Sequence, residues 1–210
     1  MEQEEREKAG ADTPELAFEE IRRAIAEKDY EAFCRRVDLE TVLNESYDEA
    51  TEELARNCEP FHRLYPHDLF FQFGEQNIRD YNEKYREVHL GFLKKFIQTY
   101  FGGKFKMPKS FEADPANSAA YAFHKIYKMM RTKTGEISEE ENRSVMEVEI
   151  SGNIIYRKLI GPLAFKFVFL RNEEGFWRLG GVANIRELTG PILDIAETYW
   201  PKSWDLGIRF

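Results

Sequence analysis

An α+β fold is predicted by three observations along the chain. Apolar residues recur at spacings of three and four up to about residue 130, they alternate at spacing two after about residue 144, and short turns rich in Gly and Asn separate the later segments. The expected architecture is a set of N-terminal helices packed on a C-terminal curved antiparallel sheet of about four strands, followed by a short helix. At 210 residues the chain has room for one domain or two small ones. With no internal repeat and no low-complexity linker, one continuous unit is expected: a mobile acidic tail at 1–12, a body at 13–200 and an arm at 201–210. Within the body the helical half is expected at 13–130, the sheet half at 144–185 and the last helix at 190–199.

Thr13 followed by Pro14 reads as a helix N-cap with the favoured first-turn proline, and Phe18, Ile21 and Ile25 form its apolar stripe. Asp29 caps a second helix carrying Tyr30, Phe33 and Val37, and Asp38 a third carrying Leu39, Leu43, Tyr47, Ala50 and Leu54. Pro60 and Pro66 interrupt an aromatic cluster (Phe61, Tyr65, Phe70, Phe71, Phe73) that follows neither period. From Asn77 the residues Ile78, Tyr81, Tyr85, Val88, Phe92 and Phe96 describe the inward stripe of a long helix stopped by Gly102 and Gly103. Asp114 and Pro115 open another, with Ala119, Phe123, Ile126, Tyr127 and Met130 inward.

Arg131 to Arg143 reads as a polar loop. Met146, Val148 and Ile150 then alternate with Glu147 and Glu149 as a half-buried strand. A turn at Ser151 to Asn153 leads to a second strand from Ile154 to Gly161, a third covers Leu163 to Leu170, and a fourth runs from Phe176 to about Asn184. Short turns between successive strands favour an antiparallel meander. Apolar residues on both faces of the third strand suggest that it is covered on both sides.

The net charge of -8 is unevenly spread. Residues 1–60 hold 19 acids and 8 bases, whereas residues 84–133 hold 11 bases and 3 acids. Such asymmetry suits either two halves that face each other electrostatically or a local segment for an anionic partner. Nucleic acid is disfavoured by a sequence pI near 5.2. No stretch approaches the roughly 18 apolar residues of a spanning helix, the start MEQEEREKAG lacks the pattern of a signal peptide, and a cytoplasmic protein with Cys34 and Cys58 reduced is expected.

Two stretches carry a family likeness. AFEEIRRAIAEKDYEAFCRRVDLETVL resembles the start of a loose set of uncharacterised bacterial proteins, in which a helix, an Asp-led second helix and a Val-Asp pair precede further helices. IIYRKLIGPLAFKFVFLRNEEGFWRLGGVANI is similar to the closing strands of the cone-shaped nuclear-transport-factor-like and cystatin-like folds. The resemblance implies helices held in the concavity of a bent sheet, often around a pocket, and implies no reaction, because that fold hosts enzymes and binding modules alike. The long helical region ahead of the sheet departs from it and suggests a concavity filled by helix.

Chemistry-bearing residues are sparse. Cys58, His62, His67 and Asp68 are ligand types, but Pro60 and Pro66 break the helix that would align them, so no metal site is expected. His89 and His124 lie beside apolar stripes, as boundary histidines or, less simply, as a general base facing a pocket. Tyr156 and Lys158 share a strand face with Ile154 and Ile160, and Arg178 and Asn184 share one with Phe176 and Val182, which suits either a ligand pocket or the wet edge of a sheet. Glu52 with Glu53, and Glu139 to Glu141, read as solvated charge. Lys94, Lys95, Lys104, Lys106, Lys109, Lys125, Lys128, Arg131 and Lys133 interleave with aromatics, as an anionic-partner surface or as solvated helix faces. No P-loop, GxGxxG, HExxH or nucleophile motif occurs, and no cofactor is expected.

The expected role is a noncatalytic binding or assembly module for another protein or a small apolar ligand. One alternative is an isomerase or hydrolase with a pocket between sheet and helices, and another is an interaction partner that uses its acidic helical face.

Overall fold

The computed structural model describes residues 12–64, 71, 74–107, 114–153, 162–191 and 193. Helix α1 (Pro14–Glu27) begins as the sequence predicts, with the Thr13 hydroxyl accepting the Leu16 N–H at 3.2 Å, and ends at Lys28 in the left-handed region with φ 61°. Helices α2 (Tyr30–Arg36), α3 (Leu39–Arg56) and α6 (Pro115–Met129) are each capped by an aspartate, Asp29, Asp38 and Asp114, whose carboxylates accept the N–H groups of Ala32, Thr41 and Asn117. Between them lie α4 (Cys58–Leu64) and the 29-residue α5 (Gly74–Gly102). Pro60 does not break α4: it sits in the first turn, where its missing N–H has no helical partner to lose.

Four strands, β1 (Met130–Glu140), β2 (Arg143–Gly152), β3 (Leu163–Arg171) and β4 (Trp177–Val182), form one antiparallel meander in sequence order. The class is α+β, with a helix at 185–191 after the sheet. That helix starts earlier than the expected 190–199, and residues 194–199 lie outside the described residues, as do the expected strand from 154 to 161, the arm at 201–210 and tail residues 1–11.

Residues 131–140, expected as loop, belong to the first strand. Thr132, Thr134 and Ile137 pair with Ile150, Val148 and Met146, and an extra residue between Thr134 and Ile137 breaks the alternation that would have marked the strand. Tail residue 12 also differs from expectation. The Asp12 carboxylate accepts the Trp177 N–H at 2.6 Å and meets Arg36 at 2.7 Å, while Glu20 takes the other side of the same guanidinium. Burial works against the Arg36 charge, but the hydrogen bonds of Asp12 and Glu20 outweigh it and raise the Arg36 pKa.

The core joins α1 to one sheet face: Ala17, Phe18, Ile21 and Val37 pack with Met146, Val148, Phe169 and Trp177, and Leu179 and Phe167 lie against them. Trp177 is 1% exposed, as its alternation with Arg178 predicts. The other face of β3 is open at Ala164 and Leu170, so the strand is not covered on both sides there. Gly180 is an extra residue in β4, and a Cβ on it would stand 2.8 Å from Leu170 Cδ1.

α3 and α5 run antiparallel, tied by Glu40–Lys94 at 2.8 Å, Asp48–Arg86 at 3.1 Å and Glu52–Arg79 at 3.0 Å. Lys94 and Arg79 lower the pKa values of Glu40 and Glu52. Each pair is partly exposed and worth little by itself, but together they set the register of two helices whose contact is rich in polar groups. The acidic and basic segments of the chain do face each other here.

Candidate functional site

The α3/α5 seam holds His89. α5 buries Ile78, Asn82, Leu90 and Tyr100, while Tyr81 is 45% and Val88 66% exposed. Of the stripe expected to face inward, Ile78 is buried and Tyr85, Phe92 and Phe96 are half-buried, while Tyr81 and Val88 lie outward of the ion-paired seam with α3. Asn82 and His89 come inward in their place. The Tyr47 hydroxyl lies 2.7 Å from His89 Nδ1 and 3.0 Å from the Asn82 carbonyl oxygen. One phenolic proton serves two acceptor positions: donated to the carbonyl, it leaves His89 Nδ1–H to donate to the phenol oxygen. Burial raises the Tyr47 pKa. The rings of Tyr81 and Tyr85 stand 5.9 and 6.4 Å from His89.

His124 lies on α6 in a different setting. Its ring is 5.2 Å from Phe105 and 6.5 Å from Tyr100, and Lys28 Nζ stands 4.6 Å from the Phe105 centroid. Burial lowers its pKa first, and Lys128, Lys28 and Lys125 lower it further. Tyr100 and Tyr127 turn their hydroxyls away from the histidine and donate to the Ile25 and Arg22 carbonyls at 3.0 Å each, docking α1 on α5 and α6. Ile126, expected inward, is exposed, and Ala116 and Ala120 take the buried positions of α6.

Asn184 lies past the end of β4, and Arg178 does not share a face with Val182. The extra residue Gly180 inverts the alternation of β4, so Val182 pairs with Phe167 while Arg178 pairs with Leu170. Arg178 Nη2 donates to the carbonyls of Cys34 at 3.2 Å and Val37 at 3.0 Å. Asn184 is 4% exposed, accepts the Lys166 N–H at 2.8 Å and donates to the Ala164 carbonyl at 2.7 Å. Arg178 Nη2 and the Asn184 amide thus bond to backbone, holding α2 to β4 and the start of the last helix to β3, while the buried Arg178 Nε has no hydrogen-bond partner among the described residues. Tyr156 and Lys158 lie outside the described residues.

The lysines expected to meet an anionic partner lie on α5 and just beyond it. Lys94 is committed to Glu40, Lys95 is exposed on α5, Lys104 and Lys106 follow its C-terminus, and Lys109 lies outside the described residues. Cys34 and Cys58 are free thiols. Cys58 and His62 share α4, His67 and Asp68 lie outside the described residues, and no group of three metal-ligating side chains gathers among the described ones. Glu53, expected in solvent, is 7% exposed, and it accepts from Arg56 at 2.7 Å. Tyr47 and Asn82 escaped sequence reading, since only the antiparallel α3/α5 pairing sets them beside His89.

No helix among the described residues is long and apolar enough to cross a membrane. No family model, no curated protein and no solved structure matches the chain.

Proposed function

We propose that this protein is a noncatalytic binding or assembly module in which helices fill the concavity of a cone-shaped sheet. The observation that carries this reading is the occupation of the space between helices and sheet: Phe18, Phe167, Phe169 and Trp177 meet there, and the polar side chains best placed to orient a ligand, Arg178 and Asn184, are bound to backbone. A site for acid/base chemistry needs a titratable group in a concavity with a second polar group in reach. The Tyr47–His89 contact at 2.7 Å favours a second reading, a small-molecule isomerase or hydrolase with His89 as base.

The two readings part on one experiment. In cells lacking the protein, the double variant His89→Gln/His124→Gln should restore the wild-type phenotype as fully as the native chain does. Lost rescue by a variant with wild-type circular dichroism and unfolding would transfer the role to histidine chemistry.

A further inference from the structure

Among the described residues β1 is an open edge of the sheet. It pairs with β2 alone, and in an antiparallel ladder alternate N–H and C=O groups point away from the partner. Those groups of β1 have no backbone partner among the described residues. At 11 residues β1 is the longest of the four strands, and all but Met130, Thr132 and Ile137, which are half-buried, are exposed. Its charges are sorted by sign, with Arg131 and Lys133 at its start and Glu136, Glu139 and Glu140 toward its end. None of them enters an ion pair among the described residues, in contrast to the charges between α3 and α5.

We propose that β1 is a self-association edge, pairing antiparallel with β1 of a second copy about a two-fold axis between Gly135 and Glu136. In that register Arg131 of one copy faces Glu140 of the other, Lys133 faces Ser138 with acids at the diagonal positions, and Thr134 faces Ile137. The extra residue between Thr134 and Ile137 makes this pairing consistent. Arg131, Lys133 and Glu140 fall on the face away from the helices, while Thr134 and Ile137 fall on the helix side, so each cross-strand pair keeps to one face. The two-fold axis repeats every favourable contact. A parallel pairing would set bases beside bases and acids beside acids, and like charges directly opposite destabilise a sheet. Strand edges that resist pairing carry charges or prolines which meet no complement, whereas the sign pattern of β1 is complementary to its own reverse. The result is a continuous eight-stranded sheet across two copies.

The proposal rests on the assembly reading and supplies its partner. Sedimentation equilibrium of the full chain at low ionic strength, up to about 100 µM, should show a monomer–dimer equilibrium that added salt weakens, since exposed pairs are screened. Arg131→Glu/Lys133→Glu and, separately, Glu136→Lys/Glu140→Lys should each weaken dimerisation at least about tenfold while keeping native circular dichroism. Mixing the two variants should recover a one-to-one dimer. A wild-type chain that stays monomeric, or a dimer indifferent to salt and to both reversals, would overturn the pairing. Should one reversal unfold the chain, the other carries the test. A monomer leaves the noncatalytic reading standing, and that reading falls only with the histidine variants.

Discussion

Along β4 the backbone is met from the N-terminal side at several points. Asp12 accepts the Trp177 N–H, Arg36 donates to the Trp177 carbonyl at 3.3 Å, and the Asp38 N–H donates to the Leu179 carbonyl at 2.8 Å. Val37 forms a parallel bridge to Leu179, so the end of α2 acts as a one-residue extra strand. Along β1, at the other edge, no element among the described residues does this. The contrast teaches that an edge is finished by whatever the chain can bring to it. Two short turns fold α1 and α2 back onto β4, and their charges converge on Arg36. β1 follows directly on α6 and leads into a hairpin, so no earlier segment is tethered beside it.

Trp177→Ala offers the largest test of this comparison. Trp177 anchors the capped edge in the core, and its truncation should cost about 3–5 kcal/mol in chemical unfolding. A loss below about 1 kcal/mol would show that the capped edge does not draw its stability from the core.

Next in size is the cap itself. Asp12→Ala strips an acceptor from a part-buried N–H and leaves Arg36 with one carboxylate, Glu20, beside the Trp177 carbonyl, so about 1–3 kcal/mol should be lost, with faster amide hydrogen exchange at Trp177. The matching truncation on the open edge, Lys133→Ala measured in dilute solution, should stay within about 0.5 kcal/mol. Equal costs at the two positions would break the comparison.

The smallest effect concerns His124, which belongs to neither edge and serves as a reference for pH experiments on both. Its pKa is lower folded than unfolded, so the native state resists protonation. Its contribution is present in full above the ordinary histidine value of about 6.5 and declines as pH falls below that value toward the folded pKa. His124→Gln should flatten the stability profile in that window, and an NMR titration should place the imidazole below the ordinary value. An unchanged profile together with an ordinary titration would show that neither burial nor the lysines around it act on the imidazole.

Much of the fold was legible because its signals are local. Thr13, Asp29, Asp38 and Asp114 cap the helices they were expected to cap, since a side-chain oxygen three residues before an orphan N–H needs no distant partner. Strand alternation likewise marked β2 and the inward placement of Trp177. β1 was missed because an exposed edge strand buries little and so lacks an apolar face, and its extra residue disrupts the period; Thr132, Thr134 and Ile137 were the trace that remained. The candidate site was less legible still. Histidines can be counted in a sequence, but the hydroxyl that meets His89 comes from a helix more than forty residues earlier.

The sequence by itself determined the order and caps of the helices and the strands β2, β3 and β4, because propensity, capping and alternation act within a few residues, whereas β1 and its place at the head of the meander came only with the tertiary structure. Only the tertiary structure decided which face of α5 turned inward. Beside the ion pairs to α3, Tyr81 and Val88 of the apolar stripe turn outward while Ile78 stays buried, and such pairs depend on residues brought together from far along the chain. The same holds for Arg178 and Asn184: one extra glycine inverted the alternation of β4 after Arg178, and Arg178 Nη2 and the Asn184 amide met backbone groups brought in from α2 and β3, since a hydrogen bond offsets much of the cost of burying a polar group.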